Sequence, residues 1–426
     1  MSTAPKSVTI RNIAWDTAAQ LYFPPDFSDA KRYPAVVAGH PIGSCKEQTA
    51  GNVYAVKLAE AGFVAVAFDA SFQGASGGEP RFVENPELRV SDFRYVVDYL
   101  QTLAYVDPER IGVLGVCGGG GYAISAATTD YRFKAVVGVA AANFGRLSRE
   151  VFGGFDPVKN LEGIAAARTA EAQGAERTIN AAVPPTVDDA KKLGNDPDLL
   201  EATEYYRTER GKHERGCVSF LYSHNAAVTA WDAFSHCETL LVRPLLVVVG
   251  DKPGMFGSYR DSHEVYGRAA SKDKEILVVP NASHYDLYDK PHAVDPALAK
   301  IVPFLKKHLG EVEGASSLLS PPPHAVAPAD PRRPRSRQVS TTQSPARPNE
   351  LLPLSLSVVL PSSHVMETVQ CKATLLEESA EQLQHLAGSV VLPIHALEHL
   401  PSRTARSSVP SSWLHRARAA GPESVV

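Results

Sequence analysis

The chain has 426 residues, 44% of them hydrophobic, and a net charge of −4. That composition supports a large buried core and gives no footing for nucleic acid or an acidic membrane surface as partner. It holds no run of about eighteen apolar residues that could span a bilayer.

Residues Ser7 to Trp15 and Ala18 to Phe23 read as a leading hairpin, and Pro34 to Ala38 as a buried strand. Ala50 to Ala61 has helical spacing, and Val64 to Phe68 is again strand-like, with Asp69 at its end. Ser91 to Leu103 predicts a helix, with Ser91 as N-cap and Phe93, Val96, Val97 and Leu100 on one side. An apolar strand from Ile111 then runs into Gly115-Val116-Cys117-Gly118-Gly119, with a helix expected from about Tyr122. Lys134 to Val139, Leu245 to Gly250 and Glu275 to Pro280 are further strands, and a helix from Pro296 to Leu309 closes the pattern. Strands alternating with helices predict an α/β chain, its mostly parallel sheet covered by helices on both faces.

Residues 143–240 interrupt that rhythm. They are charged, Ala-rich and helix-prone, and read as a helical lid inserted into a core formed by 1–142 and 241–312. For its aromatic residues Tyr205, Tyr206, Trp231 and Phe234, ordinary packing is expected ahead of substrate contact. Residues 313–426 are Pro/Ser/Arg-rich and aperiodic, a composition expected of a disordered, dispensable tail. The arginines between 332 and 337 offer a second reading, a targeting or nucleic-acid patch, and Val365 to Ala387 has the spacing of an amphipathic helix. Met1 to Ser7 lacks an apolar signal core, so a cytoplasmic location is expected. The five cysteines (Cys45, Cys117, Cys217, Cys237 and Cys371) show neither framework nor C-x-x-C spacing. They fit a reducing compartment, and neither a metal nor a cofactor is expected.

The stretch around Cys117 carries the chemistry. Its layout is that of a nucleophile elbow, G-x-Nuc-x-G, with cysteine at the nucleophile position. A sharp strand-to-helix turn strains the backbone at the nucleophile, and side chains two residues to either side would collide with strand and helix. A nucleotide loop is disfavoured, because the spacing is not G-x-G-x-x-G and no G-K-[ST] follows. An elbow needs an acid and then a histidine later in the chain. Asp251 follows the Leu245 strand and His284 the Glu275 strand, both on loops at the carboxyl ends where ligands gather. Asp69 is the reserve acid. The Gly39–Ser44 loop lies where one oxyanion donor belongs, so the backbone N–H groups of Gly118 and Ile42 are the expected pair. His40, beside Pro41, is expected to shape that loop through backbone hydrogen bonds.

Four separated segments also resemble one known family: Gly115 to Ala123, the His40-Pro41-Ile42-Gly43-Ser44 loop, Tyr206 to His213, and Ser283 to Pro291. They are similar to the dienelactone-hydrolase-related α/β-hydrolases, and more narrowly to the fungal polyketide-transferase family, over roughly residues 5–310. The resemblance implies an α/β-hydrolase fold with Cys117 as nucleophile, Asp251 as acid and His284 as base. The family often carries Gly-Ser where this chain has Gly250-Asp251. The implied reaction moves an acyl group from a thioester, carried on a polyketide synthase carrier domain or free, to an alcohol or to water. A small-ester or dienelactone-type hydrolase is the alternative expectation. So is a non-hydrolytic cyclisation or condensation catalyst of a cytochalasan-type pathway.

Overall fold

A computed structural model describes residues 4–151, 156–216 and 218–311. The tail from 313, with its arginine cluster and helical stretch, lies outside the described residues, as does Cys217.

The sheet is built from short runs of Val, Ala and Leu, which have nothing polar to present to water on either face. β3 (Tyr33–Gly39), β4 (Val64–Phe68), β6 (Phe133–Val139) and β9 (Leu245–Gly250) are buried almost throughout, as is the second half of β5 (Val106–Val116). Such strands suit a parallel sheet covered on both sides. β1 (Lys6–Arg11) and β2 (Asp16–Tyr22) form the predicted antiparallel hairpin, and β2 alternates buried and partly exposed positions, as an outer strand does. The eight strands run in the order β1-β2-β4-β3-β5-β6-β9-β10, with β10 at Lys274–Val279. From β4 onward every neighbouring pair is parallel. The carboxyl ends of β3, β5, β9 and β10 therefore open on one side, and so do the loops that carry the expected site residues.

Helices α1 (Val56–Glu60), α2 (Pro86–Gln101) and α3 (Gly118–Thr129) occupy the crossovers of the first half. α2 starts five residues before the expected Ser91. Asn85 is its cap, accepting from the Leu88 N–H, and Pro86 fills the first turn, where a missing N–H costs nothing. α3 begins at Gly118 rather than near Tyr122, so the helix opens directly behind Cys117.

Between β6 and β9 lie α4 (Phe144–Glu150), α5 (Pro157–Ala172), α6 (Val187–Leu193), α7 (Pro197–Arg207), α8 (Ala226–Ala230) and α9 (Cys237–Leu240). A small antiparallel pair, β7 (Ile179–Ala181) with β8 (Ser219–Leu221), accompanies them. Helices α10 (Ser258–Arg268), α11 (Asp286–Asp289) and α12 (Pro291–Leu309) complete the second half. α12 begins at Pro291, not Pro296. Pro291 takes the tolerant first position, and Pro296 sits inside the helix at the loss of one hydrogen bond. Among the described residues no helix is long and apolar enough to cross a membrane.

Candidate active site

Cys117 stands between β5 and α3 with φ 58° and ψ −128°, a region that costs an L-residue about 1–3 kcal/mol. The surrounding structure holds it there. Its N–H donates to Val139 O at 2.9 Å, and its C=O accepts from Gly120 N at 2.9 Å and Ala142 N at 3.0 Å. The flanking glycines are required by contact. A Cβ on Gly115 would lie 2.1 Å from Gly119 O, and one on Gly119 would lie 2.4 Å from His40 O.

On the oxyanion side, the backbone amides of Gly118 and Ile42 both act on the Cys117 thiol in the direction that favours its charged form. A Cβ on Gly118 would meet Ile42 Cγ1 at 2.3 Å, a measure of how closely the two loops approach. His40 behaves as a loop-shaping residue. Its Nδ1 meets Pro41 O at 2.7 Å, and its Nε2 accepts from the Ala70 N–H at 3.0 Å, which assigns the proton to Nδ1. Behind this loop lies a buried ionic group absent from the sequence reading. Arg89 donates to His40 O at 3.2 Å, its Nε stands 3.3 Å from Glu84 Oε1, and Tyr122 donates to that same carboxylate oxygen at 2.7 Å.

His284 is buried, with 3% of its surface exposed, and follows β10 as expected. Its partners differ from expectation. Nδ1 lies 2.9 Å from Ser258 Oγ, and Nε2 lies 3.4 Å from the Tyr288 hydroxyl. Tyr288 lines the same pocket as Cys117 and acts to lower the thiol's pKa, so one phenol faces both groups. Asp251 is on the predicted loop but exposed. Its Oδ1 accepts from the Ala282 N–H at 3.3 Å, and it makes no hydrogen bond to His284. The structure thus does not assemble the expected triad acid, because α10 brings Ser258 to the imidazole position that a carboxylate would occupy. The reserve acid is engaged elsewhere. Asp69 accepts from Lys46 N at 2.7 Å, Lys46 Nζ at 2.8 Å and Ala75 N at 2.8 Å, shaping the turn after the Gly39–Ser44 loop.

Ser258 and Tyr288 are each held from a distance. Asp196 and Asp198, at the start of α7, accept from the N–H groups of Met255 (3.0 Å) and Phe256 (2.8 Å), fixing the loop before Ser258. Arg146 of α4 pairs with Asp261 of α10 at 2.6 Å. Thr49 Oγ1 donates to Tyr288 O and Tyr54 OH to Leu287 O, both at 2.7 Å, which anchors α11. Ser258 left no sequence signal. Tyr288 did, because it stands four residues after His284, the spacing that stacks side chains on one helical face.

Burial sets the charge state. It pushes the Cys117 thiol up to about 11, against the lowering effect of Tyr288 and the Gly118 and Ile42 amides. It holds the His284 imidazole down at about 3. Thiol and imidazole are both neutral at rest, unlike a thiolate–imidazolium pair.

A cavity opens over Cys117, enclosing about 440 Å³ of empty space with the solvent at its mouth included. Phe144, Leu147, Val218, Phe220 and Phe256 make its wall apolar, and Tyr206, Tyr285 and Tyr288 line it with phenols. Tyr206 therefore borders the pocket, the less favoured of the two expectations for it, while Trp231 stacks on Tyr122 at 4.7 Å. A second cavity shares Phe144, Ala182 and Phe220 and adds Asn160, Asn180 and Asn225.

The profile of the family described as Serine aminopeptidase, S33 (Hydrolase_4) matches residues 35–291. The uncharacterized protein YcjY of Escherichia coli K12 is 41% identical over 299 residues, covering 68% of this chain and 94% of its own. The uncharacterized protein PA2218 of Pseudomonas aeruginosa is 35% identical over 300 residues, covering 68% and 77%. The crystal structure of PA2218 superposes with a TM-score of 0.65 at 32% identity, over 72% of this chain and 94% of that one. Fungal matches are more local. Acyltransferase drtE of Aspergillus calidoustus is 30% identical over 159 residues, 37% of this chain and 49% of its own. Thiohydrolase aneE of Aspergillus aculeatus is 30% identical over 151 residues, 34% and 46%. Of these sequence matches the two bacterial ones are extended and the two fungal ones partial. With an elbow, its oxyanion-side amides and a histidine on an eight-stranded sheet of this topology, the chain is an α/β-hydrolase-fold enzyme and belongs to the Serine aminopeptidase, S33 (Hydrolase_4) family.

Proposed function

We propose that this enzyme transfers acyl groups through Cys117, taking them from a thioester and passing them to an alcohol or to water in polyketide-type secondary metabolism. The observation that carries this reading is the Cys117 thiol, held on a strained elbow at the floor of an apolar pocket with two backbone amides favouring its charged form. The partial matches to proteins named as an acyltransferase and a thiohydrolase support the same chemistry. The donor is a free or carrier-borne acyl thioester.

The contacts give the proton a path. At rest Cys117 S–H donates to Tyr288 O, Tyr288 O–H to His284 Nε2, and His284 Nδ1–H to Ser258 Oγ. As the sulfur attacks the thioester carbonyl, its proton moves to the Tyr288 oxygen and the Tyr288 proton to His284. The tetrahedral oxyanion takes the hydrogen bonds of the Ile42 and Gly118 amides, each worth about 3 kcal/mol. Collapse expels the donor thiolate, which receives a proton from His284 and leaves Cys117 acylated. The acceptor hydroxyl then loses its proton to His284 and attacks the acyl carbon, and the departing Cys117 sulfur takes that proton back. Thioester exchange onto a thiol is close to thermoneutral, so neither half-reaction is steeply uphill. The apolar wall excludes bulk water from the acyl-enzyme.

The test is intact mass spectrometry after incubation with acyl thioesters of graded chain length, wild type beside Cys117→Ala. An acyl adduct on the wild type alone is expected. Turnover undiminished in Cys117→Ala would exclude covalent catalysis at this residue and favour a cyclisation or condensation role for the pocket.

A further inference from the structure

A second cysteine–histidine pair lies outside the pocket. Cys45 is fully buried, and its Sγ is 3.3 Å from Nδ1 of His213, which the segment between α7 and β8 contributes. Glu47 joins them, and the three donor atoms lie within 4.8 Å of one another. Nδ1 also accepts from the Arg215 N–H at 3.2 Å, so it is the unprotonated nitrogen of the ring, and a metal bound there would displace that hydrogen bond. Glu47 Oε1 is engaged by Lys46 Nζ at 2.6 Å and Arg215 Nη1 at 3.4 Å. Its Oε2 is buried and has no hydrogen-bond partner. Buried carboxylate oxygens are nearly always paired, so this one is open to a ligand.

The electrostatics point the same way. Lys46 is shared with the fully buried Asp69 at 2.8 Å, and the Glu47 contacts to Lys46 and Arg215 both fall on Oε1, so Oε2 is the carboxylate oxygen left open.

We propose that Cys45 Sγ, Glu47 Oε2 and His213 Nδ1 bind a thiophilic divalent cation of the zinc class, with water completing four-coordination. Donor atoms of such a site stand roughly 3.5 Å apart. The Cys45–His213 pair is already at that separation, and rotation of the Glu47 side chain closes the remainder. On binding, the Cys45 S–H bond breaks, its proton leaves to solvent and a sulfur–metal bond forms, with no change of oxidation state. Thiolate and carboxylate together balance the 2+ charge. The bound cation ties the turn that follows the Gly39–Ser44 loop, and with it the stretch carrying Ile42, to the helical insertion.

Cobalt(II) reports thiolate ligation directly. The full chain carrying Cys117→Ser, which removes the pocket thiol as a competitor, is stripped with a chelator, kept reduced and titrated with Co²⁺. One equivalent is expected to raise a thiolate-to-cobalt charge-transfer band that Zn²⁺ abolishes. Adding Cys45→Ser should remove the band, and Glu47→Gln or His213→Gln should each weaken Co²⁺ binding by about tenfold or more. Glu47→Gln is nearly isosteric, so it keeps the test decisive if the cysteine variant fails to fold. A band that persists in Cys45→Ser, or none on the Cys117→Ser chain, overturns the proposal. Neither result bears on acyl transfer, which the mass adduct at Cys117 reads independently.

Discussion

Cys117 and His284 are both buried, and burial moves their titrations apart, the thiol up to about 11 and the imidazole down to about 3. Above its pKa a thiol is thiolate, so at neutral pH only a small fraction of Cys117 is reactive, and that fraction grows about tenfold per pH unit until about 11. Alkylation of Cys117 by iodoacetamide, followed on its tryptic peptide, should accelerate in that proportion from about pH 6 to about pH 9. A plateau below about pH 8 would reveal a preformed thiolate–imidazolium pair instead. The partners of His284 separate by mutation. Asp251→Asn should leave acylation within about threefold of wild type, whereas a true triad acid would cost about 10⁴-fold. Ser258→Ala removes one orienting hydrogen bond and should cost about tenfold. Tyr288→Phe interrupts the proton path and should lower kcat by about 10²-fold or more with KM little changed. Rates for the three variants against one thioester decide among these assignments.

At the scale of elements, the elbow was legible because its constraints are local. Glycines at 115 and 119 answer to atoms within four residues or on the adjoining strand, and the order nucleophile, then histidine, follows from which loops emerge at one end of a parallel sheet. Gly119→Ala should destabilise the fold by about 1–3 kcal/mol, since its Cβ would stand 2.4 Å from His40 O and 2.6 Å from Gly39 O, neither of which can move without shifting β3. Denaturant midpoints of wild type and variant measure this; equal midpoints would mean the loop yields freely. The acid was not legible. Asp251 occupies the sequence position an acid should, yet what meets Nδ1 of His284 is fixed by how α10 docks, through Arg146–Asp261 and the carboxylates of Asp196 and Asp198. Those contacts join residues 50 or more positions apart, and no local pattern announces them. The start of α2 was misread for a different reason. Ser91 is a good cap in isolation, but Asn85-Pro86 satisfies the same requirement one and a half turns earlier, with Val90 and Phe93 still directed inward.

At the scale of the molecule, among the described residues every element that places the site lies between Lys6 and Leu309. Among the described residues the last strand of the sheet ends at Val279, and α12 covers the sheet with Ile301, Phe304, Leu305 and Leu309 buried, ending at Gly310 in the left-handed region at φ 73°. The last turn of α12 carries Lys306, Lys307 and His308, the charge that complements a helix carboxyl end. The Gly112 Cα lies close beneath it, since a Cβ there would meet Leu309 Cδ1 at 2.9 Å. The family match, residues 35–291, falls wholly inside these limits. A chain ended after Gly314 therefore retains its core, its elbow and its pocket. It should express as folded protein, melt within about 2 °C of the full chain, and form the Cys117 acyl adduct at the same rate. Ending the chain before α12, at Lys290, should instead abolish folding, because the apolar face of the sheet beneath that helix would be left to water. Loss of soluble enzyme in the first truncation would show that residues beyond Gly314 contribute to the core; matched melting and matched acylation would confine both stability and chemistry to the first 314 residues.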